Sequence, residues 1–197
     1  METNLLAKIN AGQTASNNNT INGARHRMVA SGTNQVITIE DFARAHYALQ
    51  KAAVPMQNLV ALVDPSVCHE LATQPNHINF SNNPMWEGVV SEGSMTGMKF
   101  RFNVFGFDVY ASNYLPSSIS ETIDSVAVTS GVANYFFSAA PGATPLIGLI
   151  RQDPKVESEY NKDKQREEYV TTARWGFGLY RPENMVTVLT STAQVYA

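Results

Sequence analysis

The stretch LIGLIRQDPKVESEYNKDKQREEYVTTARWGFGL, residues 146–179, decides the fold. Apolar residues dominate both of its ends, whereas residues 151–168 carry a dense mixture of positive and negative side chains. These charged side chains are Arg151, Asp153, Lys155, Glu157, Glu159, Lys162, Asp163, Lys164, Arg166, Glu167 and Glu168. Two β-prone segments that flank a polar centre are typical of a hairpin. The stretch therefore predicts a long β-hairpin or ribbon with a highly charged arm.

The charged arm has two interpretations. It is either a solvated hairpin tip or a contact that pairs its charges with a neighbouring chain. An exposed ion pair contributes only about 0–1 kcal/mol, so such a contact would set the register and the choice of partner rather than the affinity. The sequence leaves both interpretations open.

Further strands are predicted on both sides of this stretch. Downstream, Val186–Leu189 (VTVL) is a short apolar strand. Upstream, Ser125–Ala139 is rich in β-branched and aromatic residues. Phe100–Tyr110 alternates well enough for two strands around Gly106. The chain is thus predicted to be rich in strands after residue 100.

The first half of the chain contains a capped helix and a buried strand. Thr38 is predicted as a helix N-cap with Asp41 three residues later, and apolar side chains recur at helical spacing through residues 39–53. Leu59–Val63 (LVALV) is a continuous apolar run, which is typical of a strand buried on both faces. Ser66–Ala72 is predicted as a short second helix.

The N-terminal segment is predicted to be mostly irregular. Glu2–Ile9 favours one or two helical turns, and Gly12–Asn34 is a long loop because it is rich in Asn, Gly, Ser and Thr. Within it, Arg25, His26 and Arg27 form the one basic triplet of the sequence. We predict that the triplet is part of a solvated loop rather than a nucleic-acid patch.

Composition excludes several classes of protein. An apolar fraction of 44% suffices for a core, and a net charge of −3 gives no overall attraction to nucleic-acid phosphates. The one cysteine, Cys68, cannot form an intrachain disulfide, which fits synthesis inside a cell. No stretch approaches the roughly 18 apolar residues that span a membrane, and the N-terminus lacks the pattern of a signal peptide.

No group of residues carries an enzymatic signature. Cys68 and His69 are adjacent, but neighbours on a helix point about 100° apart, so we predict a core cysteine beside a surface histidine. The four histidines, His26, His46, His69 and His77, lack metal-ligand spacing. The GxG within Trp175–Leu179 lacks the third glycine of a nucleotide-binding loop. We therefore predict no catalytic, cofactor-binding or metal-binding residue.

An ordered set of segments resembles one protein family. The segments are ITIEDFARAHYALQKAAVP (37–55), LVALVDPSVCHELAT (59–73), GFDVYASNYLP (106–116), the charged stretch, and REEYVTTARWGFGLYRPENMVTVLTS (166–191). Their order resembles the C-terminal part of tailed-bacteriophage major capsid proteins with the Hong Kong 97-like shell fold. The family's motifs match Val63–Leu71, Gly106–Pro116, Arg166–Val170 and Trp175–Leu189. Each motif is weak alone, and their order and spacing over residues 36–192 carry the resemblance.

The resemblance implies an α+β fold of two parts. An axial domain, a small mixed sheet with flanking helices, corresponds to residues 36–132 and 176–197. A peripheral domain with the long charged β-ribbon corresponds to residues 133–175, and residues 1–35 hold the end of a spine helix and an Asn-rich loop. In the family, axial domains meet at the centres of pentamers and hexamers, and peripheral domains meet at three-fold junctions.

The resemblance also implies a structural role rather than an enzymatic one. The chain would be a shell subunit that self-assembles into the icosahedral head of a tailed double-stranded DNA phage. It would need no cofactor and would contact no membrane. Its partners would be copies of itself in pentamers and hexamers, scaffolding or decoration proteins, and packaged DNA held non-specifically. It would be made in the host cytoplasm and end in the virion.

One departure from the family concerns the N-terminus. Family members usually begin with an N-terminal arm, an extended loop and a spine helix, whereas Glu2–Ile9 corresponds to the end of that helix. We expect about the first third of a usual subunit to be missing from this sequence. The chain is then a fragment, one half of a split subunit, or a processed or incompletely read sequence. A second chain would supply the arm and the loop in the split case.

Three alternatives stay open. An encapsulin-like nanocompartment shell shares the fold, but it needs a bound cargo peptide. A small α+β enzyme or ligand-binding domain needs a pocket with converging polar groups. A minor virion protein, such as a connector, forms a ring of fixed size rather than a closed shell.

Overall fold

The computed structural model describes residues 2–12, 20–73 and 100–191. Its helices are α1 (Glu2–Gly12), α2 (Ile39–Lys51) and α3 (Pro65–Thr73). Its strands are β1 (Thr20–Ile21), β2 (Ala24–Arg25), β3 (Arg27–Val29), β4 (Leu59–Val63), β5 (Phe100–Val104), β6 (Phe107–Ala111), β7 (Ile119–Ile123), β8 (Val126–Ser138), β9 (Leu146–Asn161), β10 (Arg166–Leu179) and β11 (Met185–Ser191). Short 3-10 turns occupy Thr33–Gln35 and Pro182–Asn184. The chain is therefore an α+β protein, as expected.

Most strands form one mixed sheet. Its order is β3-β11-β8-β4-β6-β5, and β7 pairs with the first half of β8. The pairs β3–β11 and β4–β6 are parallel, whereas β8 runs antiparallel to its neighbours β11, β4 and β7. The predicted strand Leu59–Val63 lies inside this sheet, with Leu59, Ala61 and Val63 buried on one face.

Helix α2 begins where the sequence predicted. The amide of Thr38 donates to Asp41 Oδ2 at 2.9 Å, and Asp41 is fully buried. The same carboxylate accepts a hydrogen bond from the amide of Ser31 at 3.0 Å. One side chain therefore fixes both the start of α2 and the loop that follows β3, because it satisfies amides that have no helical partner.

Helix α2 packs on one face of the sheet through three aromatic rings. Phe42 of α2 meets Phe136 of β8 edge to face with the centroids 5.0 Å apart, and Phe136 meets Phe107 of β6 at 5.3 Å. All three side chains are fully buried. Helix α3 adds Val67 and Leu71 to this core, and both are buried.

Helix α1 covers the opposite face of the sheet. Leu6 and Ile9 are buried there in a second core cluster with Tyr135 of β8. The hydroxyl of Tyr135 donates to the backbone carbonyl of Leu6 at 3.3 Å, and burial raises the pKa of this phenol above its ordinary value. The helical turns predicted for Glu2–Ile9 are thus present and form part of the core.

The turn between β5 and β6 depends on Gly106. Phe105 has φ of 50° and Gly106 has φ of 80°, so both central residues lie in the left-handed region. Paired positive φ values are the geometry of a two-residue hairpin turn whose twist matches the strands. The two strands predicted around Gly106 are confirmed.

Replacing Gly106 by valine is expected to lower the free energy of unfolding by about 1–3 kcal/mol, because a β-branched residue is strained at positive φ. The space around the residue is open, with Leu59 Cδ1 4.0 Å from the Cβ position, so strain rather than collision is tested. Gly106→Asn is the matched control, since asparagine tolerates this conformation. Urea denaturation of the two variants measures the difference, and equal stability would contradict the turn geometry.

Strands β9 and β10 form a separate antiparallel ribbon. Its register runs from Arg166 opposite Asn161 at the tip to Leu179 opposite Leu146 at the base. The β-hairpin predicted for residues 146–179 is present, and its tip turn is residues 162–165.

The loop predicted for Gly12–Asn34 was wrong in its second half. Strands β1 and β2 form a small hairpin there, and β3 joins the large sheet by pairing in parallel with β11. Strands of two or three residues are too short to show a hydrophobic period. The segment Gln74–Thr96, whose sequence predicts mostly loop or short helix, lies outside the described residues.

The sheet also extends beyond the domain boundary that the sequence placed between residues 132 and 133. Strand β8 continues to Ser138, and its last residues pair with β11 on one side and with β4 on the other. Hydrogen bonding to two neighbours places residues 133–138 in the middle of the sheet. They belong with it and not with the ribbon.

Candidate functional site

Large hydrophobic side chains are exposed mainly along the ribbon. Those on the ribbon are Ile147, Leu149, Ile150, Val156, Tyr160, Tyr169, Val170 and Trp175. Elsewhere among the described residues such side chains are scattered, as at Tyr47, Phe105, Tyr114, Val126 and Tyr180. Single exposed apolar residues are ordinary, whereas a concentration of them marks an interaction surface.

The register sorts the outer residues of the ribbon onto two faces. Val156 lies opposite Thr171, and Tyr160 lies opposite Glu167. Opposed residues share a face, and side chains alternate along each strand. Tyr169, two residues from both Glu167 and Thr171, is on the same face. We call the face that carries Val156, Tyr160 and Tyr169 the aromatic face.

The other face carries most of the charge, and we call it the charged face. Its outer residues are Lys155, Glu157, Glu159, Arg166, Glu168 and Val170. The ammonium of Lys155 lies 2.5 Å from the Glu157 carboxylate, and the Arg166 guanidinium lies 2.8 Å from Glu168. These charges are therefore partnered within the ribbon, in exposed pairs that each contribute about 0–1 kcal/mol.

The aromatic face continues down β10 to the core. From Thr172 to Trp175 of β10, the pairing partners on β9 run from Lys155 to Ile150. Strand β9 therefore has two more residues than β10 over this span, and the side chains of β10 keep alternating between the two faces. Trp175, Phe177 and Leu179 therefore follow Tyr169 on one face. Leu179 packs partly buried against the core cluster beneath α1.

The Phe177 ring lies directly over Gly148 on the opposing strand. A Cβ at Gly148 would come within 3.2 Å of its Cε1 atom. An aromatic side chain over a cross-strand glycine compensates for the packing that the glycine lacks. The GxG around Phe177 is thus a packing feature of a strand and forms no nucleotide-binding loop.

Sequence reasoning found the charged arm but missed its two faces. The signal was present as the alternation in Lys155–Tyr160, where charged residues occupy every second position and Val156 and Tyr160 fall between them. A period of two assigns such residues to opposite faces of a strand. Counting the charges together concealed this order.

The structure does not build a catalytic site from the adjacent Cys68 and His69. Cys68 is buried in the core cluster beneath α2 and α3, whereas His69 is exposed on α3. His46 is half-buried, with its ring centroid 6.3 Å from that of Phe107. The fourth histidine, His77, lies outside the described residues.

The prediction that the basic triplet is solvated was wrong for two of its three residues. Arg25 is exposed and pairs with Asp124. His26 is fully buried and Arg27 is 4% exposed. Arg27 donates from Nε to Glu121 Oε1 at 2.9 Å and from Nη2 to Asn10 Oδ1 at 3.0 Å. The buried arginine therefore joins β3 to β7 and α1.

Burial lowers the pKa of His26 below its ordinary value of 6.5, opposed by the Ala24 carbonyl and by Glu183. Its Nδ1 lies 3.2 Å from the Ala24 oxygen, and its Nε2 has no hydrogen-bond partner among the described residues. A neutral imidazole is therefore favoured in the fold, because protonation would place a charge in a dry site.

We expect the stability of the chain to contain a contribution from His26 that is present above pH 6.5. It is lost as the pH falls below that value, because the unfolded chain then binds a proton that the folded chain does not. The His26→Gln variant lacks this contribution, so its stability should fall less between pH 8 and pH 5. Urea denaturation at both pH values measures the difference. Parallel losses in wild type and variant would show that His26 is not the source.

We next consider metal binding, membrane spanning and clefts in the described part of the chain. No group of three or more His, Cys, Asp or Glu residues there is arranged to hold a metal ion, and no described helix is long and apolar enough to cross a membrane. An open cleft of about 490 Å³ lies between the loop after β3, α2 and the β7–β8 turn. Its charged residues are Arg44 and Asp124, and Asp124 already pairs with Arg25.

Comparison with solved structures gives likeness to viral and bacterial shells. The capsid of the cyanophage P-SCSP1u matches with a TM-score of 0.57 at 18% identity, covering 94% of this chain and 60% of that one. A structure from Mycobacterium phage Che8 matches with a TM-score of 0.51 at 16% identity, covering 87% of this chain and 53% of that one. The holo-SrpI encapsulin complex from Synechococcus elongatus matches with a TM-score of 0.57 at 12% identity, covering 100% of this chain and 63% of that one.

These structural matches concern the fold alone, since the identities are low. The chain spans less than two-thirds of each of these three structures, from 53% to 63% of its length. No curated protein sequence matches the chain. A family model described as phage capsid protein matches residues 1–188. Because this match covers nearly the whole sequence and the fold agrees with it, the chain belongs to the phage capsid protein family.

Proposed function

We propose that the chain is a structural subunit that self-assembles into the icosahedral head of a tailed phage. The observation that carries this proposal is the phage capsid family match over residues 1–188. The exposed ribbon supports it, because a shell subunit needs surfaces that bury area against copies of itself.

Within the proposed Hong Kong 97-like fold, the large sheet and its helices are the axial domain, and the β9–β10 ribbon is the peripheral domain. Because residues 133–138 pair within the large sheet, our proposal assigns residues 146–179 to the peripheral part. The axial parts would meet in pentamers and hexamers, and the ribbons would meet at the junctions between them. Many weak contacts then stabilise a closed shell through multivalency.

An encapsulin-like compartment is the second candidate, favoured by the match to the SrpI encapsulin over 100% of this chain. The two candidates differ in their contents. A phage head encloses double-stranded DNA, whereas a nanocompartment encloses protein cargo. Nuclease-protected DNA in purified particles would favour the phage head, and a co-purifying cargo protein would favour the compartment.

Electron microscopy of the sedimenting material from cells that produce the chain tests the proposal directly. We expect closed icosahedral shells that contain peptides of this chain by mass spectrometry. The same spectra would reveal any second chain that supplies an N-terminal arm and an extended loop. Rings of fixed size would instead indicate a connector, and a stable monomer without particles would contradict the shell role.

A further inference from the structure

We infer that the aromatic face of the ribbon is buried against a second copy of this chain in the assembled shell, while the charged face stays in solvent. This inference rests on the proposed function and adds to it which side of the ribbon makes the contact. The aromatic face here is the surface of Val156, Tyr160, Tyr169 and Trp175.

The first argument is the lack of cover on the aromatic face. Val156 is 64% exposed, Tyr160 56% and Tyr169 66%. A two-stranded ribbon is only marginally stable in water unless it packs against something. Among the described residues, core packing reaches only the base of the ribbon, at Leu146 and Leu179. The outer half therefore gains its stability from a surface outside the described residues.

The second argument is the chemistry of the two faces. Tyrosine and tryptophan bury large area at low entropic cost and are enriched in protein interfaces. On the charged face, Lys155 and Arg166 are already paired with Glu157 and Glu168. Burying those pairs would remove charges from water with little electrostatic return. Burial of the aromatic face removes one charge from water, that of Glu167, which keeps the hydrogen bond from the Tyr169 hydroxyl.

The third argument identifies the occupant as a second copy rather than nucleic acid. The paired residues of the outer aromatic face are Val156, Ser158, Tyr160, Glu167, Tyr169 and Thr171, which include no Lys or Arg. Their one charged residue, Glu167, accepts a hydrogen bond from the Tyr169 hydroxyl. A nucleic-acid strand needs cations along its phosphates. The charged face mixes both signs, so identical subunits can approach each other without net repulsion. Membership of a capsid family supplies the identical subunits.

Two valines give a matched test of the assignment. Val156 on the aromatic face is 64% exposed and Val170 on the charged face is 55% exposed, and they sit on neighbouring rungs of the ribbon. The substitutions Val156→Asp and Val170→Asp change the same side chain by the same amount at similar exposure. Sedimentation velocity over a concentration series measures self-association of both variants and of the wild type.

We expect Val156→Asp to raise the concentration at which half of the chain is assembled by at least about tenfold, because a carboxylate would enter an apolar contact. Val170→Asp should shift it by less than about twofold. Thermal unfolding of both variants should match, since both positions are exposed.

The other outcomes overturn distinct claims. Equal shifts in the two variants, no shift in either, or a larger shift for Val170→Asp would each overturn the face assignment while leaving the shell role intact. A wild-type chain that stays monomeric at every concentration would overturn the proposed function, and with it this inference.

Discussion

Replacing Phe136 by alanine is expected to lower the free energy of unfolding by about 3–5 kcal/mol. Phe136 is fully buried near the C-terminal end of β8, between Phe42 of α2 and Phe107 of β6. The substitution removes two edge-to-face contacts, each worth about 0.5–1.5 kcal/mol beyond burial. It also leaves a cavity that the central strand cannot close, because both neighbouring strands hold β8 in register.

Urea denaturation of the unassembled chain measures this loss, and Phe105→Ala is the matched control. Phe105 is the same residue type but is 51% exposed in the β5–β6 turn, so its truncation should cost less than about 1 kcal/mol. A loss of 3–5 kcal/mol is a large part of the total stability of a domain. Comparable losses at the two positions would mean that the three rings are not the centre of the core.

The elements that sequence reasoning predicted correctly are those with local signals. The start of α2 is specified by Thr38 and Asp41, three residues apart, and both lie in the cap that the structure shows. The strand Leu59–Val63 is apolar throughout because Leu59, Ala61 and Val63 lie in the core beneath α2, and Leu62 on the other face packs partly buried against the second cluster. The ribbon is indicated by two long β-prone segments that flank a polar centre. Each of these patterns lies within one continuous segment of the sequence.

The failures have non-local causes. Arg27 was predicted to be solvated because its neighbours in sequence are basic and polar. Its burial depends on Glu121, which is 94 residues away. The strand character of residues 133–138 was predicted, but their pairing within the large sheet depends on β4 and β11, which lie far from them in the sequence on either side. A single sequence carries no local record of such pairings.

The candidate surface was predicted only in part. Charge density located the ribbon, but the side of the ribbon that a neighbour would contact follows from cross-strand register. Register depends on the tip turn at residues 162–165 and on the two extra residues in β9. A slip of one residue would move Val156 to the other face. The alternation along Lys155–Tyr160 is local, but which residues of β10 share a face with Val156 and Tyr160 follows only from the register.

The largest expected effect outside the aromatic core is at Arg27. Replacing it by methionine should lower the free energy of unfolding by about 3 kcal/mol, because removing one partner of a buried pair leaves the other charge uncompensated. The Glu121 side chain is only 17% exposed in this pair, which keeps the stranded carboxylate away from most solvent. The bond from Arg27 to Asn10 is lost as well, so α1 loses a tie to the sheet.

A double-mutant cycle separates this pair from a simple packing effect. Arg27→Met with Glu121→Leu removes both charges, and it should recover most of the loss because no buried carboxylate remains.

Arg25→Met is the control within the same triplet. Arg25 and Asp124 are an exposed pair, with side chains 53% and 43% exposed, so its loss should cost less than about 1 kcal/mol. Urea denaturation at pH 7 of the wild type, Arg27→Met, Glu121→Leu and the double variant gives the coupling free energy. If the double variant were no more stable than Arg27→Met, the arginine would act through packing of its carbon chain, and the ion pair would contribute nothing. If Arg25→Met lowered the free energy of unfolding as much as Arg27→Met, Arg25 would be as buried as Arg27. That result would contradict the exposure of Arg25 in the structure.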